Sequence, residues 1–373
     1  MHRREIERLL EAIRRARASG EPTAIATVVR VRGSAYRREG TRMLVRRDGS
    51  YECSLSGGCL EPSVAEAAVR AIDTGRPVIV NYDLEDDSLW GLGLGCAGAV
   101  DVRIERLEPV ETDEVKRAWL TVLELGETAV LITPLDGASG RLLLRASGEH
   151  VGHLDDDAVE QGALARARTR LGAAFPRSGA ERVADVELFF ELMTPAPDLV
   201  MFGAGPDAAP LAEHAWSLGF SVTAVDVRRA YLTKERFPNA TLVHAHFRDF
   251  PTAVALHARS FVLVMNHQVE RDEESLRFAL DSDAPYIGVL GPRSRYKKLL
   301  AGLAGKGCVP SDASLARVHS PVGLSIGAET AEEVAVSILG EIVAVQRGFA
   351  GGFLSGSDRS LHRPDDRRLL TSS

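Results

Sequence analysis

One cysteine of this sequence stands where a thiol would be reactive. Cys59 follows Gly57 and Gly58, and Pro62 after it is typical of the first turn of a helix. A thiol just before a helix N-terminus is favoured as the thiolate, because the helix dipole stabilises negative charge there. The paired glycines leave the backbone open to a bulky ligand. This pattern therefore predicts a nucleophile or a soft metal ligand at Cys59.

A second cysteine repeats the pattern. Cys96 stands in a glycine-rich run between Gly95 and Gly98 and precedes a predicted strand. The alternative is that Cys59 and Cys96 are small buried residues in tight turns, and the residues alone leave both interpretations open. A zinc site is not indicated, because the sequence has neither a CxxC pair nor a third and fourth ligand at suitable spacing.

Basic residues precede these motifs. Arg37, Arg38 and Arg42 lie in one loop and could supply positive charge to an anionic ligand.

A glycine turn in the second half of the chain indicates a nucleotide site. Gly203 and Gly205 lie between a predicted strand over 199–202 and a predicted helix from residue 208, which is the context of the dinucleotide fingerprint. Asp226, at the end of the next strand, is placed to accept a hydrogen bond from a ribose hydroxyl, and Arg228 would suit a phosphorylated ribose. The alternative is a turn retained for packing alone.

One histidine is predicted to lie near that turn. His267 directly follows an apolar strand, so it should emerge at the carboxyl edge of the sheet, where this fold binds ligands.

The elements that must position these residues form two groups. Residues 1–195 mix helices and strands, and Pro195-Ala196-Pro197 marks the boundary. Residues 196–348 alternate strands and helices, which predicts a Rossmann-like doubly wound parallel sheet. Residues 349–373 lack periodicity and are expected to form a mobile tail. The predicted fold class is α/β, a mixed α/β domain followed by a Rossmann-like domain, with no internal repeat.

Composition excludes several classes of function. The 373 residues carry 45 Lys and Arg against 52 Asp and Glu, a net charge of −7, with no basic block that indicates nucleic acid binding. No stretch reaches the roughly 18–20 apolar residues of a membrane span. Four cysteines in a chain of this length fit a reducing compartment, so we expect a cytoplasmic protein.

In this order, the motifs resemble the xanthine dehydrogenase accessory factor (XdhC/CoxI) family. The resemblance in the first half rests on residues 33–43 (GSAYRREGTRM), residues 56–61 (SGGCLE) and Gly95-Cys96. In the second half it rests on residues 202–205, 226–228, 236–238 and 286–291, on His267 with Asp272, and on residues 321–329 (PVGLSIGAE).

The resemblance implies a maturation factor rather than a turnover enzyme. Proteins of this family bind the molybdenum cofactor, assist addition of its terminal sulfur together with a cysteine desulfurase, and deliver it to a molybdenum hydroxylase apoenzyme. That client is of the xanthine dehydrogenase or carbon monoxide dehydrogenase type. The cofactor would be molybdopterin or its dinucleotide form, and a homodimer is expected.

The resemblance also implies roles for single residues. Cys59 and Cys96 would be metal, cofactor or sulfur-handling ligands, and Glu61 their hydrogen-bonding partner. Gly203 and Gly205 would form the phosphate-binding turn.

Two other functions remain open. An NAD(P)-dependent oxidoreductase would use Asp226 for the ribose and His267 as acid or base. A nucleotide-sensing module would bind a nucleotide without turnover.

Overall fold

The structure, a computed structural model, describes residues 3–33, 35–83, 98–136, 140–173 and 177–355. Cys96 and most of the predicted tail lie outside these residues. The chain divides into two compact units, residues 1–195 and 196–373. Among the described residues, none of the helices is long and apolar enough to cross a membrane.

The first half of the first unit is a five-stranded antiparallel sheet with two helices. Its strand order is β3-β2-β1-β5-β4. The elements in chain order are α1 (Arg3–Ser19), β1 (Thr23–Gly33), β2 (Arg42–Val45), β3 (Tyr51–Glu52), α2 (Glu61–Thr74), β4 (Val78–Asp83) and β5 (Gly98–Leu107).

The second half repeats this arrangement. Its antiparallel strand order is β8-β7-β6-β10-β9, which is the same order shifted by five strands. The elements are α3 (Glu114–Leu125), β6 (Ala129–Pro134), β7 (Gly140–Arg145), β8 (His150–Leu154), α4 (Asp157–Leu171), β9 (Gly179–Val183) and β10 (Val186–Met193). The expectation of no internal repeat therefore fails at the level of the fold.

Successive side chains of β1 point to opposite faces of the first sheet, and both faces are covered. Ala24, Ala26 and Val28 pack in the core beneath α2. Ile25 points to the other face and joins a core built from α1, α3 and both sheets. The opposite face of the second sheet packs on α4. The two sheets thus share one core and each has a helix of its own outside.

The second unit is a six-stranded parallel sheet of order β13-β12-β11-β14-β15-β16. This confirms the predicted fold class, since the strand order is that of a doubly wound dinucleotide-binding sheet. The elements are β11 (Asp198–Phe202), α5 (Ala208–Ser217), β12 (Ser221–Asp226), β13 (Thr241–His244), α6 (Phe250–Ala253), β14 (Ser260–Val264), α7 (Val269–Leu280), β15 (Tyr286–Val289), α8 (Arg293–Gly305), α9 (Asp312–Leu315), β16 (Val318–His319) and α10 (Ala331–Arg347).

The central strand β11 is buried on both faces. Leu199 and Met201 pack in the core beneath α5 and α10, whereas Val200 and Phe202 pack in the core beneath α7 and α8. A continuous apolar run is what a parallel strand covered by helices on both faces requires.

Candidate functional site

The loop that carries Cys59 is organised by a buried carboxylate. Glu61, the first residue of α2, is only 1% exposed. Its Oε1 accepts hydrogen bonds from the amides of Leu55 (2.9 Å) and Ser56 (2.8 Å), and its Oε2 accepts one from the Ser56 hydroxyl. Burial alone would raise the pKa of Glu61, but these hydrogen bonds lower it below its usual value. Glu61 is therefore an ionised positioning residue that faces its own loop.

Ser56 completes the loop. Its Oγ accepts hydrogen bonds from the amides of Gly58 (3.1 Å) and Leu60 (3.2 Å) and lies 3.4 Å from the Cys59 Sγ. Gly58 has a φ of +113°, which only glycine adopts without strain. A Cβ built at Gly57 or Gly58 would meet no atom within 4 Å, so the backbone before the thiol is open. Cys59 itself is half-buried.

The Cys59 loop lies toward the end of the first sheet at which β4 ends and β5 begins. Arg106, which pairs with Ala24 at the start of β1, donates a hydrogen bond to the Ile72 carbonyl in the last turn of α2. The first turn of α2, with the Cys59 loop, therefore lies toward the far end of β1, where Gly33 pairs with Gly98. β4 ends and β5 begins at that same end, where Asp83 pairs with Ala99, and Cys96 falls between the two strands in the sequence, outside the described residues.

Cys53 is in a different environment. It has a φ of +64°, packs against the core around α1, and places its Sγ 3.8 Å from the Glu5 carbonyl oxygen. Burial raises the pKa of the Cys53 thiol above its usual value. Cys53, Cys59 and Cys308 are all free of disulfides.

The predicted basic loop is largely used for packing. Arg37 donates to Glu5 on α1 at 2.6 Å. Arg42 is buried in an ion pair with Glu191 on β10, and its guanidinium lies over the Trp119 ring at 4.9 Å. Arg42 therefore joins the two halves of the unit, and its predicted contact with an anionic ligand is wrong.

In the second unit, the glycine turn depends on a close approach of two strands. A Cβ at Gly203 would lie 2.4 Å from the Met265 carbonyl oxygen, so only glycine fits there. The Arg236 guanidinium stabilises the turn by donating hydrogen bonds to the carbonyls of Ala204 (2.9 Å) and Gly205 (2.8 Å).

Asp226 closes the other side of this turn. Its Oδ2 accepts a hydrogen bond from the Ala204 amide at 2.8 Å, and both carboxylate oxygens accept from the Arg228 guanidinium at 2.7–2.9 Å. Burial would raise the pKa of Asp226, but the bonds from Arg228 and Ala204 lower it below its usual value. Arg228 also stacks on Tyr231 at 4.1 Å. The predicted ribose acceptor is thus already occupied by protein donors.

His267 does emerge beside the turn, as expected for a residue that follows β14. Its ring lies 3.4 Å from where a Cβ of Gly205 would stand, and its Nε2 is 3.5 Å from the Asp207 carboxylate. The φ of +62° at His267 is unusual for a residue with a side chain. Such a conformation persists where the surrounding structure imposes it, and it often marks functional sites.

Asp272, which the sequence pairs with His267 in one motif, binds the residue before His267 and also Arg295. Asp272 accepts hydrogen bonds from the Asn266 amide (2.9 Å) and side chain (3.1 Å). Its other oxygen accepts from Arg295 at 2.5 Å. Asp272 stands in the family motif with His267, but neither that motif nor the spacing assigns it Arg295 as a partner.

In the described part of the chain, no three His, Cys, Asp or Glu side chains form a group able to hold a metal ion. The predicted pairing of Cys59 with Cys96 lies outside what the structure describes.

Comparison with known proteins relates both units to one family. A family model described as the XdhC and CoxI family matches residues 16–83, and one described as the XdhC Rossmann domain matches residues 199–342. A Bacillus subtilis (strain 168) protein, named as a probable subunit of xanthine dehydrogenase, is 34% identical over 336 residues, which cover 88% of this chain and 95% of that protein. The chain belongs to the XdhC and CoxI family.

Two further proteins extend the comparison. An Escherichia coli (strain K12) protein named molybdenum cofactor insertion chaperone PaoD is 24% identical over 355 residues, 95% of this chain and 89% of that protein. A crystal structure described as a xanthine dehydrogenase from Bacillus halodurans is 29% identical with a TM-score of 0.75 and covers 95% of this chain and 98% of that one. The predicted resemblance to the XdhC and CoxI family is confirmed.

Proposed function

We propose that this chain binds the molybdenum cofactor, takes part in adding its terminal sulfur, and inserts it into a molybdenum hydroxylase of the xanthine dehydrogenase or carbon monoxide dehydrogenase type. The observation that carries the proposal is the Cys59 loop, in which an ionised Glu61 and Ser56 present a half-buried thiol beside open glycine backbone. Family membership and the name of the relative PaoD support the same function.

The residues present fit such a cofactor. A thiolate is a soft ligand that suits a molybdenum–sulfur centre. A Cβ built at Gly57 or Gly58 meets no atom within 4 Å, so a bulky group can approach the backbone there. Cys59 would hold or sulfurate the metal end, with Cys96 as its partner from the neighbouring connection. When bound, the cofactor supplies the redox-active metal that the client enzyme needs. The protein's own task is to bind it, orient it and keep it from bulk water.

The second unit would hold a nucleotide portion of the ligand. The glycine turn leads into α5, where the positive end of the helix dipole favours a phosphate. His267 lies over this turn and is placed to contact whatever binds there. In this proposal the cofactor is molybdopterin in its dinucleotide form.

Partners follow from the chemistry. A cysteine desulfurase would supply the sulfur, and the client apoenzyme would receive the finished cofactor. We also propose that the chain acts as a homodimer.

The test is to purify the protein from cells that make the cofactor and to measure molybdenum by mass spectrometry and pterin by fluorescence. We expect Cys59→Ala and Cys96→Ala each to lose at least about 90% of the bound molybdenum, because a soft metal–thiolate bond is lost. Cys308→Ala is the matched control, since Cys308 packs against the core of the second unit. It should retain the molybdenum content of the wild type.

Activation of a client apoenzyme tests delivery separately. The loaded protein should restore hydroxylase activity, and protein loaded without a desulfurase should restore less. Equal molybdenum in the wild type and in both cysteine variants would refute the thiolate assignment.

The oxidoreductase alternative finds less support. Both oxygens of Asp226 already accept hydrogen bonds from Arg228 and Ala204, so no free acceptor faces a ribose. Oxidation of NAD(P)H by a carbonyl substrate, with loss of that activity in His267→Ala, would favour the alternative.

A further inference from the structure

An open cavity of about 830 Å³ lies in the first unit, away from the Cys59 loop. Its walls come from β4, the start of α3 and strands β6 to β8. Its floor is formed by Arg103 on β5 and by Thr133 and Arg141, while Arg76 and His153 stand at the rim. The cavity is thus lined by basic side chains from both halves of the unit.

The floor carries more positive than negative charge. Arg103 Nη1 donates to one oxygen of Glu105 at 2.5 Å, Arg141 Nη1 donates to the other at 2.9 Å, and the Lys116 ammonium lies 3.9 Å from the same carboxylate. Burial would raise the pKa of Glu105, but the charges of Arg103, Arg141 and Lys116 lower it to about 2. Glu105 therefore faces three cations, and the third, Lys116, also lies 3.9 Å from the carboxylate of Glu111.

The guanidinium groups keep free donors toward the cavity. Within the described residues, Arg103 makes side-chain hydrogen bonds only from Nη1, and Arg141 uses Nη1 for Glu105 and Nε for Thr133 at 3.3 Å. Both Nη2 groups, and Nε of Arg103, have no acceptor among the described residues, and none of them is a fully buried atom lacking a partner. Because both arginines line the cavity, these donors are available to a ligand bound in it.

The repeat of the fold supplies a matched comparison. Ile25 pairs with Leu44 and Glu105, and Leu131 pairs with Leu143 and Glu191, so the two sheets are equivalent position by position. Arg42 then corresponds to Arg141, Glu191 to Glu105, and Phe189 to Arg103. Each arginine of β2 and β7 pairs with the glutamate of the other half.

The two equivalent sites differ in one respect that matters for ligands. The Arg42–Glu191 pair is sealed, with side chains only 4% and 5% exposed, and has Phe189 where the other site has Arg103. The site with the extra guanidinium is the one onto which the cavity opens. An added buried cation that the fold does not require is better explained by a ligand than by packing.

We propose that this cavity binds the phosphoryl group of a small ligand through Arg103 and Arg141. Planar guanidinium groups match the oxygens of a phosphoryl group, and two of them balance a dianion. Asp113 and Glu114 at the mouth repel larger polyanions, which favours a single phosphoryl group. Asp113 is turned to α3, where it accepts the Lys116 amide hydrogen at 3.0 Å. This site is independent of molybdenum and of the Cys59 loop.

The test is binding of inorganic phosphate to protein from cells that lack the molybdenum cofactor, by calorimetry and thermal unfolding. At about ten times its Kd, phosphate should raise the Tm by roughly 3–6 °C over chloride at equal ionic strength. Arg103→Phe should weaken binding at least about tenfold, because charge-assisted hydrogen bonds are lost. That variant copies the equivalent site and should fold. Arg103→Gln gives the same readout with a smaller change in shape.

Arg47→Gln is the control, since Arg47 is exposed and pairs with Asp73 at 2.6 Å away from the cavity. It should bind phosphate like the wild type. Glycerol 3-phosphate binding tighter than phosphate identifies a phosphorylated small molecule as the ligand, whereas equal binding identifies free phosphate. Binding of neither, stabilisation by chloride equal to that by phosphate, or unchanged affinity in Arg103→Phe and Arg103→Gln overturns the proposal. Cysteine variants leave this result unchanged, so it is distinguishable from failure of the molybdenum proposal.

Discussion

The two halves of the first unit share an order of helices and strands but differ in their connections. In the first half, residues 53–60 join β3 to α2 and residues 84–97 join β4 to β5. In the second half, the equivalent connections are residues 155–156, which join β8 to α4, and residues 184–185, which join β9 to β10. The second half therefore shows how little chain the fold needs. What the first half adds at these two places contains Cys59 and Cys96.

The way the helices begin shows the same difference. Asp156 caps α4 directly by accepting the amide hydrogens of Ala158 and Val159. The N-cap of α2 is Leu60, which makes no side-chain cap hydrogen bond, and Glu61 after it turns its carboxylate back toward the amides of residues 55 and 56. In the second half the carboxylate caps the helix, whereas in the first half it positions the loop that carries the Cys59 thiol.

The largest effect should come from the sealed ion pair that joins the halves. Arg42→Met leaves Glu191 charged, buried and unpaired, so we expect a loss of about 3–5 kcal/mol in the free energy of unfolding. Arg141→Met should lose less, because Glu105 keeps Arg103 and Lys116. Urea unfolding of the two variants measures the difference. Equal losses of stability in the two variants would show that the two ion pairs contribute equally and would contradict this prediction. The double variant Arg42→Met with Glu191→Leu should recover most of the stability, because it leaves no buried charge unpaired.

A smaller effect is expected at the Cys59 loop. Glu61→Gln should cost about 1.5–3 kcal/mol at pH 7, because hydrogen bonds to an ionised acceptor are weakened. Since the pKa of Glu61 is lower in the folded protein than in the unfolded chain, its contribution is complete above the unfolded pKa and is lost as pH falls through the folded value. Denaturant midpoints from pH 7 to pH 3 should converge for wild type and variant. A constant difference would contradict this, because it would show that the pKa of Glu61 is the same in the folded protein and in the unfolded chain.

The smallest effect is expected in the second half. Asp156→Ala removes an N-cap and should cost about 1 kcal/mol of stability. Because this connection has no functional loop, the variant should keep its full content of molybdenum, measured by mass spectrometry on the purified protein. A loss of molybdenum there would place function in the second half as well.

Periodicity in the sequence predicted the long elements and the Rossmann-like unit well. The apolar runs at residues 199–202 and 261–264 and the glycine turn between strand and helix are local signals of a parallel sheet. By contrast β3, β8 and β9 were missed, because Tyr51–Glu52 is too short and the other two strands carry mixed residues such as His153 and Arg182. Without those strands the repeat could not be recognised.

The site could be predicted only in part. Cys59, Gly203 and His267 were found because glycines and strand ends mark them. The ion pair of Asp226 with Arg228 and the burial of Arg42 depend on side-chain directions and on contacts between distant segments. The spacing of residues along the sequence predicts neither of these contacts, nor the cluster of cations around Glu105.

The most direct test of the central claim is to give the first half the short connection of the second. Residues 53–60 are replaced by Asp-Asp, as in residues 155–156, and molybdenum per chain is measured after purification from cells that make the cofactor. Circular dichroism and the midpoint of thermal unfolding verify that the fold is kept. We predict a folded protein with less than about a tenth of the wild-type molybdenum, because the Cys59 thiolate is gone. A folded protein with wild-type molybdenum content would contradict the account.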